Sequence, residues 1–239
     1  MKIKSLVLAL LAAIVCITFT GCNSDSPSTP TPTIFTNIVT VTAITETGTI
    51  FEFRPEGTSS SVVLTSSRNI NSTNDLFKIN SRVLISYTTE SNSSDVNCAI
   101  NLLAVSNVIG RGEAPEELTA SETQNWNSST VSVYDIRLSG NYVDVVFTAY
   151  TSSTPTECRV VADASTIGNE YPDLYLLFEP EMLGPDCADY AIYMSYSVAD
   201  FFANPSCKGV TVHFNDPNIS AQQITLNKLG SALTPSTRD

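Results

Sequence analysis

The chain has 239 residues, with 12 Lys and Arg against 24 Asp and Glu and a formal net charge of -12. Its 42% of hydrophobic residues, with 10 Phe and 9 Tyr and only 15% charged residues, exclude a mostly disordered chain. The acidic balance argues against nucleic acid as a partner, because phosphate backbones are bound through a surplus of Lys and Arg.

The first residues have the pattern of a secretory signal. A basic start, Met1 to Lys4, precedes an apolar stretch over residues 6–19 that is short for a membrane span, and Thr20-Gly21 stand before Cys22. A cysteine after such small residues resembles a bacterial lipobox, in which the peptide is cut before the cysteine and the cysteine is acylated. We predict a lipoprotein signal peptide over residues 1–21 and lipid, such as palmitate, on Cys22. The alternative is an ordinary signal peptide cut near residue 22, with an incidental thiol.

Residues 22–34 form the predicted lipidated cysteine and a tether. The stretch is rich in Pro, Ser and Thr and cannot build a core. Several acyl chains on one residue anchor a protein stably, so we expect the lipid on Cys22 to attach this protein to a membrane. Asn23 stands where the inner-membrane retention signal of enteric bacteria has Asp. We therefore expect the protein to be anchored in the outer membrane. The sequence leaves open whether it faces the periplasm or the cell surface.

A first β-rich unit follows the tether. Apolar and polar residues alternate with the period of half-buried strands over residues 38–44, 49–53, 61–65, 82–87 and 96–105. The first two runs are joined by Glu46-Thr47-Gly48, which predicts a hairpin with a glycine-containing turn. Five strands in such a short stretch favour a small OB-like barrel, which we assign to residues 35–110.

A second β-rich unit, assigned to residues 111–239, comes after a segment rich in Gly and Pro. Seven runs have strand character, over residues 131–138, 142–150, 158–162, 174–178, 190–196, 209–214 and 222–226. Residues 116–123, ahead of them, form the piece of the chain most compatible with a helix. Seven short strands separated by turns predict an immunoglobulin-like antiparallel β-sandwich, and the whole fold is therefore predicted to be all-β.

The order of lipobox, tether, barrel and second β unit resembles the NigD-like lipoproteins of Bacteroides-type bacteria. The resemblance is carried by residues 48–53, 62–64 and 80–87, with Arg82 and Tyr87 as polar landmarks, and by the runs at residues 196–202 and 209–215. It implies an N-terminal barrel, a C-terminal β-sandwich and a place in the cell envelope. It implies no particular activity.

Four cysteines remain in the predicted folded part: Cys98, Cys158, Cys187 and Cys207. No Cys-x-x-Cys pair is present, so we predict no metal site and no cofactor. In an oxidising envelope two of the four could pair, and a disulfide between Cys187 and Cys207 is the pairing we favour. Cys98 falls in the apolar row of its strand, which predicts a buried and inert thiol.

No group of residues in the sequence has a catalytic pattern. His213 is the only histidine, so mechanisms with two imidazoles are excluded, and alternation places it on the solvent face of its strand. No Gly-x-Ser-x-Gly motif accompanies it. The carboxylates Asp144, Glu157, Glu179 and Glu181 could in principle pair across a sugar cleft, but a solvated surface is the simpler interpretation. We therefore predict no catalytic residues and no enzymatic activity.

The aromatic residues are the remaining candidates for binding, because sugars stack on Trp and Tyr rings. We single out Trp126, Tyr134, Tyr142 and Tyr150 as possible ligand-facing aromatics. For Trp126, packing of the linker onto the second domain is the favoured alternative. Two hypotheses result: a non-catalytic lipoprotein that docks an unknown envelope protein, or a glycan-binding accessory lipoprotein.

Overall fold

The computed structural model describes residues 32–55, 57–71, 77–89, 97–119, 126, 129–151, 157–180 and 187–228. The predicted signal peptide, Cys22 and the tether up to residue 31 lie outside the described residues, and so does Glu181. In the part of the chain that is described, no helix is both long enough and apolar enough to cross a membrane.

The first unit is a closed barrel of five strands. These are β1 (Phe35–Thr45), β2 (Gly48–Phe53), β3 (Val62–Ser66), β4 (Arg82–Thr89) and β5 (Asn97–Asn107). They follow each other around the barrel in the order β1-β2-β3-β5-β4, with β3 and β5 parallel and the remaining pairs antiparallel. The alternating apolar residues of each strand point inward, and Val39, Phe51 and Val83 are completely buried. The OB-like barrel predicted from the strand pattern is thus confirmed.

A glycine at the start of β2, directly after the β1–β2 turn, lies against β3. Thr45 pairs with Gly48 across the hairpin, as the Glu46-Thr47-Gly48 motif predicts. A Cβ atom at Gly48 would lie 2.3 Å from the backbone oxygen of Ser66 on β3. Only glycine therefore lets β2 approach β3 at this point.

The second unit contains two sheets. Its elements are β6 (Glu116–Leu118), β7 (Ser132–Ser139), β8 (Tyr142–Thr151), β9 (Glu157–Asp163), β10 (Asp173–Glu179), β11 (Ala188–Ser197), α1 (Ala199–Ala203), β12 (Gly209–His213) and β13 (Gln223–Asn227). Five strands form one sheet in the order β13-β12-β10-β9-β6, and three form the other in the order β11-β8-β7.

The core of the second unit lies between these sheets. Strand β8 contributes Val143, Val145 and Phe147, all completely buried, and the facing sheet contributes residues such as Leu174. The rings of Phe147 and Phe178 meet edge to face with centroids 5.5 Å apart. Two apolar sheet faces packed in this way make a β-sandwich, so the predicted all-β barrel plus sandwich is confirmed.

Three features of the sandwich differ from the sequence prediction. The pairs β6·β9 and β10·β12 are parallel, so the sandwich is not wholly antiparallel. The stretch Glu116–Leu118 is a strand although its residues favour helix, because pairing with β9 and burial of Leu118 outweigh local propensity. The short helix α1, which buries Phe201 and Phe202, was not predicted.

Candidate functional site

The barrel and the sandwich meet along a row of outward-facing barrel residues. Arg82 on β4 pairs in register with Thr40 on β1, and Thr40 pairs in turn with Glu52 on β2. The opposite side of this junction is formed by the β7–β8 hairpin and the end of β11. Because side chains alternate along each strand, this row leaves the barrel core and points at the sandwich.

Arg82 is the centre of the junction. Its Nη2 donates to both carboxylate oxygens of Asp144, at 2.8 and 2.6 Å, and its Nε donates to Ser195 Oγ at 3.0 Å. Its Nη1 donates to Thr40 Oγ1 at 3.1 Å, and Ser195 Oγ donates to Asp144 Oδ1 at 2.6 Å. The side chains of Arg82 and Asp144 are each only 1% exposed. A buried bidentate ion pair therefore joins the two units.

Close packing surrounds this ion pair. The guanidinium carbon of Arg82 lies 4.6 Å from the centre of the Tyr142 ring, a cation–π geometry. Gly112, with φ of +84°, lies so near that a Cβ there would be 2.7 Å from Arg82 Cγ. The backbone N–H of Gly112 donates to Ser195 O at 2.8 Å, which holds the linker against β11.

A polar cleft of about 230 Å³ opens beside the ion pair. The barrel contributes Glu52, Arg54 and Ser61 to its lining, and the sandwich contributes Asn141 and Ser197. The Nε of Arg54 is buried, and none of the described residues accepts a hydrogen bond from it. The cleft is therefore lined mainly by polar and charged residues from both units.

The outer face of the three-stranded sheet is covered by the barrel at one end and open at the other. Asp144, at the covered end, and Tyr150, at the open end, both lie on β8 and point to the same side. Tyr150 is 54% exposed and Tyr134 on neighbouring β7 is 69% exposed. Tyr134 falls at a β-bulge, between Val133, which pairs with Phe147, and Asp135, which pairs with Val146. We call this surface the tyrosine face.

A separate aromatic cluster lies on the five-stranded sheet. The rings of Tyr175 and His213 are stacked 4.5 Å apart, and Trp126 lies 5.7 Å from Tyr175 and 6.0 Å from His213. His213 Nε2 is 2.7 Å from Asp173 Oδ1. Burial, followed by the charges of Asp173 and Asp163, raises the pKa of Tyr175. We call these four residues, Trp126, Asp173, Tyr175 and His213, the Trp126 cluster.

Two sequence-based predictions need correction at these positions. His213 was placed on the solvent face, but its side chain is only 16% exposed because Trp126 and Tyr175 pack against it. Asp144 was interpreted as solvated surface, but it is buried in the ion pair with Arg82. Neither the lone histidine nor an isolated aspartate carries a signal in its neighbours that would reveal such distant partners.

The predicted aromatic candidates lie in three different places. Tyr134 and Tyr150 share the tyrosine face, Tyr142 lies under Arg82 and lines the cleft, and Trp126 contacts the other sheet. Residues of the cleft, Glu52 and Arg54 above all, were not singled out from the sequence. Their alternation along β2 indicates that both side chains face outward, but the neighbouring sequence does not show that the sandwich lies against them.

The structure does not join Cys187 and Cys207 by a disulfide, and their pairing stays a prediction. The thiol of Cys207 is buried and lies 3.2 Å from the carbonyl oxygen of Gly209 on its own strand. Cys98 is buried in the barrel core, as expected. Burial, with a smaller effect of Glu157, raises the pKa of Cys158 to about 12. Among the described residues, no group of His, Cys, Asp and Glu side chains could hold a metal ion.

No family model and no curated protein matches the sequence. Solved structures do share the fold. A protein of unknown function from Bacteroides vulgatus has a TM-score of 0.53 and 15% identity, over 81% of this chain and 89% of that chain. A protein named as toxin-related from Parabacteroides distasonis has a TM-score of 0.53 and 14% identity, over 82% and 94% of the two chains.

A NigD-like immunity protein from Bacteroides caccae is also similar in structure. Its TM-score is 0.51 at 14% identity, and the match covers 82% of this chain and 92% of that chain. The resemblance to NigD-like proteins inferred from the sequence is thus confirmed at the level of the fold. None of these three proteins is named as an enzyme.

Proposed function

We propose that this protein is a non-catalytic lipoprotein of the cell envelope that docks another envelope protein. In this proposal the acyl chains on Cys22 hold it at the outer membrane, and the tether lets the two β units reach a partner. The observation that carries the docking role is the tyrosine face, where Tyr134 and Tyr150 are 69% and 54% exposed on one open sheet surface.

Exposed tyrosines on a rigid sheet suit a protein interface. Tyrosine offers a large apolar ring and a hydroxyl, loses little conformational entropy when bound, and is enriched at interaction surfaces. The buried ion pair between Arg82 and Asp144 fixes the barrel against the covered end of the same sheet. The open end is therefore presented in a defined orientation relative to the barrel and, through it, to the tether.

In-cell photo-crosslinking tests the proposal. A photoreactive phenylalanine analogue replaces Tyr150 in the anchored protein, and the captured protein is identified by mass spectrometry. The control carries the analogue in place of Ile79, which is 54% exposed on the barrel. We expect one specific protein to be captured from position 150, not from position 79, and to be lost in a Tyr134→Ser variant.

The anchor is tested in the same experiment. Cys22→Ser should move the protein from the membrane fraction to the soluble fraction and remove the captured partner. Membrane retention of Cys22→Ser would show that the lipobox interpretation is wrong. Equal capture of abundant membrane proteins from positions 150 and 79 would instead refute the docking role and leave the anchor intact.

Glycan binding is a second candidate function, which the Trp126 cluster favours. Aromatic rings next to a carboxylate are a common way to bind sugars, by stacking on the ring and by hydrogen bonds to hydroxyls. A glycan array probed with the full-length protein and with Trp126→Ala tests it. Signals that depend on Trp126 would support this function, and an array without signal above background would exclude it.

A further inference from the structure

The outermost strand of the five-stranded sheet has one open side. Strand β13 (Gln223–Asn227) pairs with β12 on its other side, and its first three residues are exposed to solvent. On the open side, no backbone group of β13 bonds to any part of the chain that the structure describes. β13 is therefore an open sheet edge, with which a further strand can pair.

The hydrogen-bond pattern shows which backbone groups this edge presents. Just before β13, Phe214 N–H donates to Gln222 O at 3.0 Å, and just after it, Lys228 N–H donates to Lys208 O at 2.7 Å. In antiparallel strands, pairs that exchange hydrogen bonds alternate with pairs that do not, so every second residue of β13 bonds to β12. The N–H and C=O groups on the open side belong to the residues between them, which are Gln223, Thr225 and Asn227.

The features that commonly protect a sheet edge are missing from β13. Proline, a β-bulge or a charged side chain usually blocks pairing at an edge. The register between β12 and β13 runs without a bulge, and residues 218–227, all of them described, contain neither a proline nor a charged residue. Ile224 is 38% exposed on the same strand. A strand added at this edge would cover that apolar side chain.

The charge of the chain favours a second copy of the protein as the added strand. Each copy has a formal net charge of -12, so two copies approach each other most readily where their surfaces lack acidic groups. The neutral strand β13 is such a place. A basic strand from another protein would be attracted by the chain as a whole but would find no acidic side chain on β13.

The strand is also complementary to itself. When two β13 strands run antiparallel with Thr225 at the centre, Thr225 faces Thr225 of the second copy, and Gln223 faces Asn227 of the second copy. This register brings no like charges opposite each other. It also pairs all the N–H and C=O groups that the two open sides present.

We propose that two copies of this protein form a symmetric dimer by pairing their β13 strands. The five-stranded sheets of the two copies then continue into one another across a twofold axis at Thr225. About six backbone hydrogen bonds hold the join, and Ile224 of each copy is covered.

The dimer goes beyond the proposed docking function and does not depend on it. Thr225 lies on the five-stranded sheet, whereas Tyr134 and Tyr150 lie on the outer face of the three-stranded sheet and stay open in both copies. A change at Thr225 therefore tests the dimer without altering the tyrosine face. Failure of the dimer and failure of the docking function are consequently distinguishable.

Sedimentation equilibrium of the full-length protein in density-matched detergent micelles measures the dimer. Five residues from each copy make a small interface, and small interfaces are typical of weak complexes. At an ionic strength of about 0.15 M, which screens much of the repulsion between acidic copies, we expect a dissociation constant on the order of 10 to 100 μM.

Charged substitutions at Thr225 test whether the two strands face each other there. Thr225→Lys and Thr225→Glu each place like charges opposite at the axis, so each variant alone should dimerise about tenfold more weakly or worse. An equimolar mixture of the two should dimerise about as strongly as the wild type, because opposite charges then face each other. Thr65→Lys is the matched control, since Thr65 is an exposed threonine on β3 of the barrel, and it should dimerise like the wild type. Circular dichroism checks that each variant is folded.

Disulfide cross-linking tests the register and needs no charged substitution. Copies with Gln223→Cys and copies with Asn227→Cys should cross-link when mixed, because the Cα atoms of facing residues lie about 5.5 Å apart, within the range of a disulfide. Each variant alone should not cross-link above the wild-type background, because the two equivalent positions are roughly 13 Å or more apart along the strands.

Four results would overturn the proposal. The first is a wild-type protein that stays monomeric up to about 200 μM. The second is equal dimerisation of the wild type and folded Thr225→Lys. The third is failure of folded Thr225→Lys and folded Thr225→Glu to dimerise when they are mixed. The fourth is cross-linking of Gln223→Cys with itself as efficient as with Asn227→Cys, which would identify contact in another register.

Discussion

Removing the charge of Arg82 should lower the free energy of unfolding, because the ion pair that joins the barrel to the sandwich is lost. Arg82→Met keeps much of the side-chain volume but abolishes the hydrogen bonds to Asp144, Ser195 and Thr40. The Asp144 carboxylate, 1% exposed, is then left with the bond from Ser195 Oγ at 2.6 Å. A buried carboxylate with so little compensation is strongly unfavourable.

The magnitude follows from the burial of both partners. Breaking a buried ion pair by removing one partner costs about 3 to 5 kcal/mol, a large fraction of the 5 to 15 kcal/mol that stabilises a typical domain. Replacing both partners removes the orphaned charge, so Arg82→Met combined with Asp144→Leu should recover most of that cost. Arg82→Lys should fall between wild type and Arg82→Met, because one ammonium nitrogen cannot replace the three guanidinium nitrogens that donate to Asp144, Ser195 and Thr40.

Urea denaturation followed by circular dichroism and by fluorescence is the assay. The only tryptophan of the chain, Trp126, contacts the sandwich and therefore reports its unfolding separately. The control is Arg159→Met, since the side chain of Arg159 is 40% exposed in its ion pairs with Glu116 and Glu157. We expect this control to change the free energy of unfolding by less than about 1 kcal/mol.

Two outcomes would refute this reasoning. The first is that Arg82→Met destabilises the protein no more than Arg159→Met does, which would mean that the ion pair does not couple the units. The second is that the free energy of unfolding lost in the double variant equals the sum of the losses in the two single variants, which would mean that the residues act independently rather than as a pair.

Gly112→Ala should cost about 1 to 3 kcal/mol, because alanine is strained at φ of +84° and its Cβ would lie 2.7 Å from Arg82 Cγ. Gly57→Ala is the control, because Gly57 has a similar φ of +71° but no atom lies within 4 Å of a Cβ there, so only the backbone is strained. Equal midpoints of urea unfolding for the two variants would contradict the prediction. Burial raises the pKa of Cys158 from 9.0 to about 12, so the folded state keeps a proton that the unfolded state loses in this window. The contribution of this thiol to the free energy of unfolding is therefore complete below about pH 9 and is lost as the pH rises towards 12, by up to about 4 kcal/mol. In Cys158→Val the free energy of unfolding should fall less over the same pH range. If the free energy of unfolding changes with pH in the same way in the wild type and in Cys158→Val, the loss of stability at high pH does not come from Cys158.

Strand positions were predictable because their signal is local. Residues 142–150 alternate between apolar and polar side chains, and β8 (Tyr142–Thr151) follows that pattern almost residue by residue. The stretch Glu116–Leu118 shows the limit, since its helical propensity is overridden by pairing with β9. The cleft could not be predicted, because the outward alternation of Glu52 and Arg54 does not say what lies opposite.

The sequence by itself determined the all-β class, the order of barrel and sandwich, and the prediction of a lipid anchor at Cys22. Each of these depends on patterns within a few residues, which backbone geometry translates directly into structure. Only the tertiary structure decided that Arg82 meets Asp144, 62 positions away, and Ser195, 113 positions away. Such contacts depend on strand register and on how two units pack, and a short stretch of sequence fixes neither.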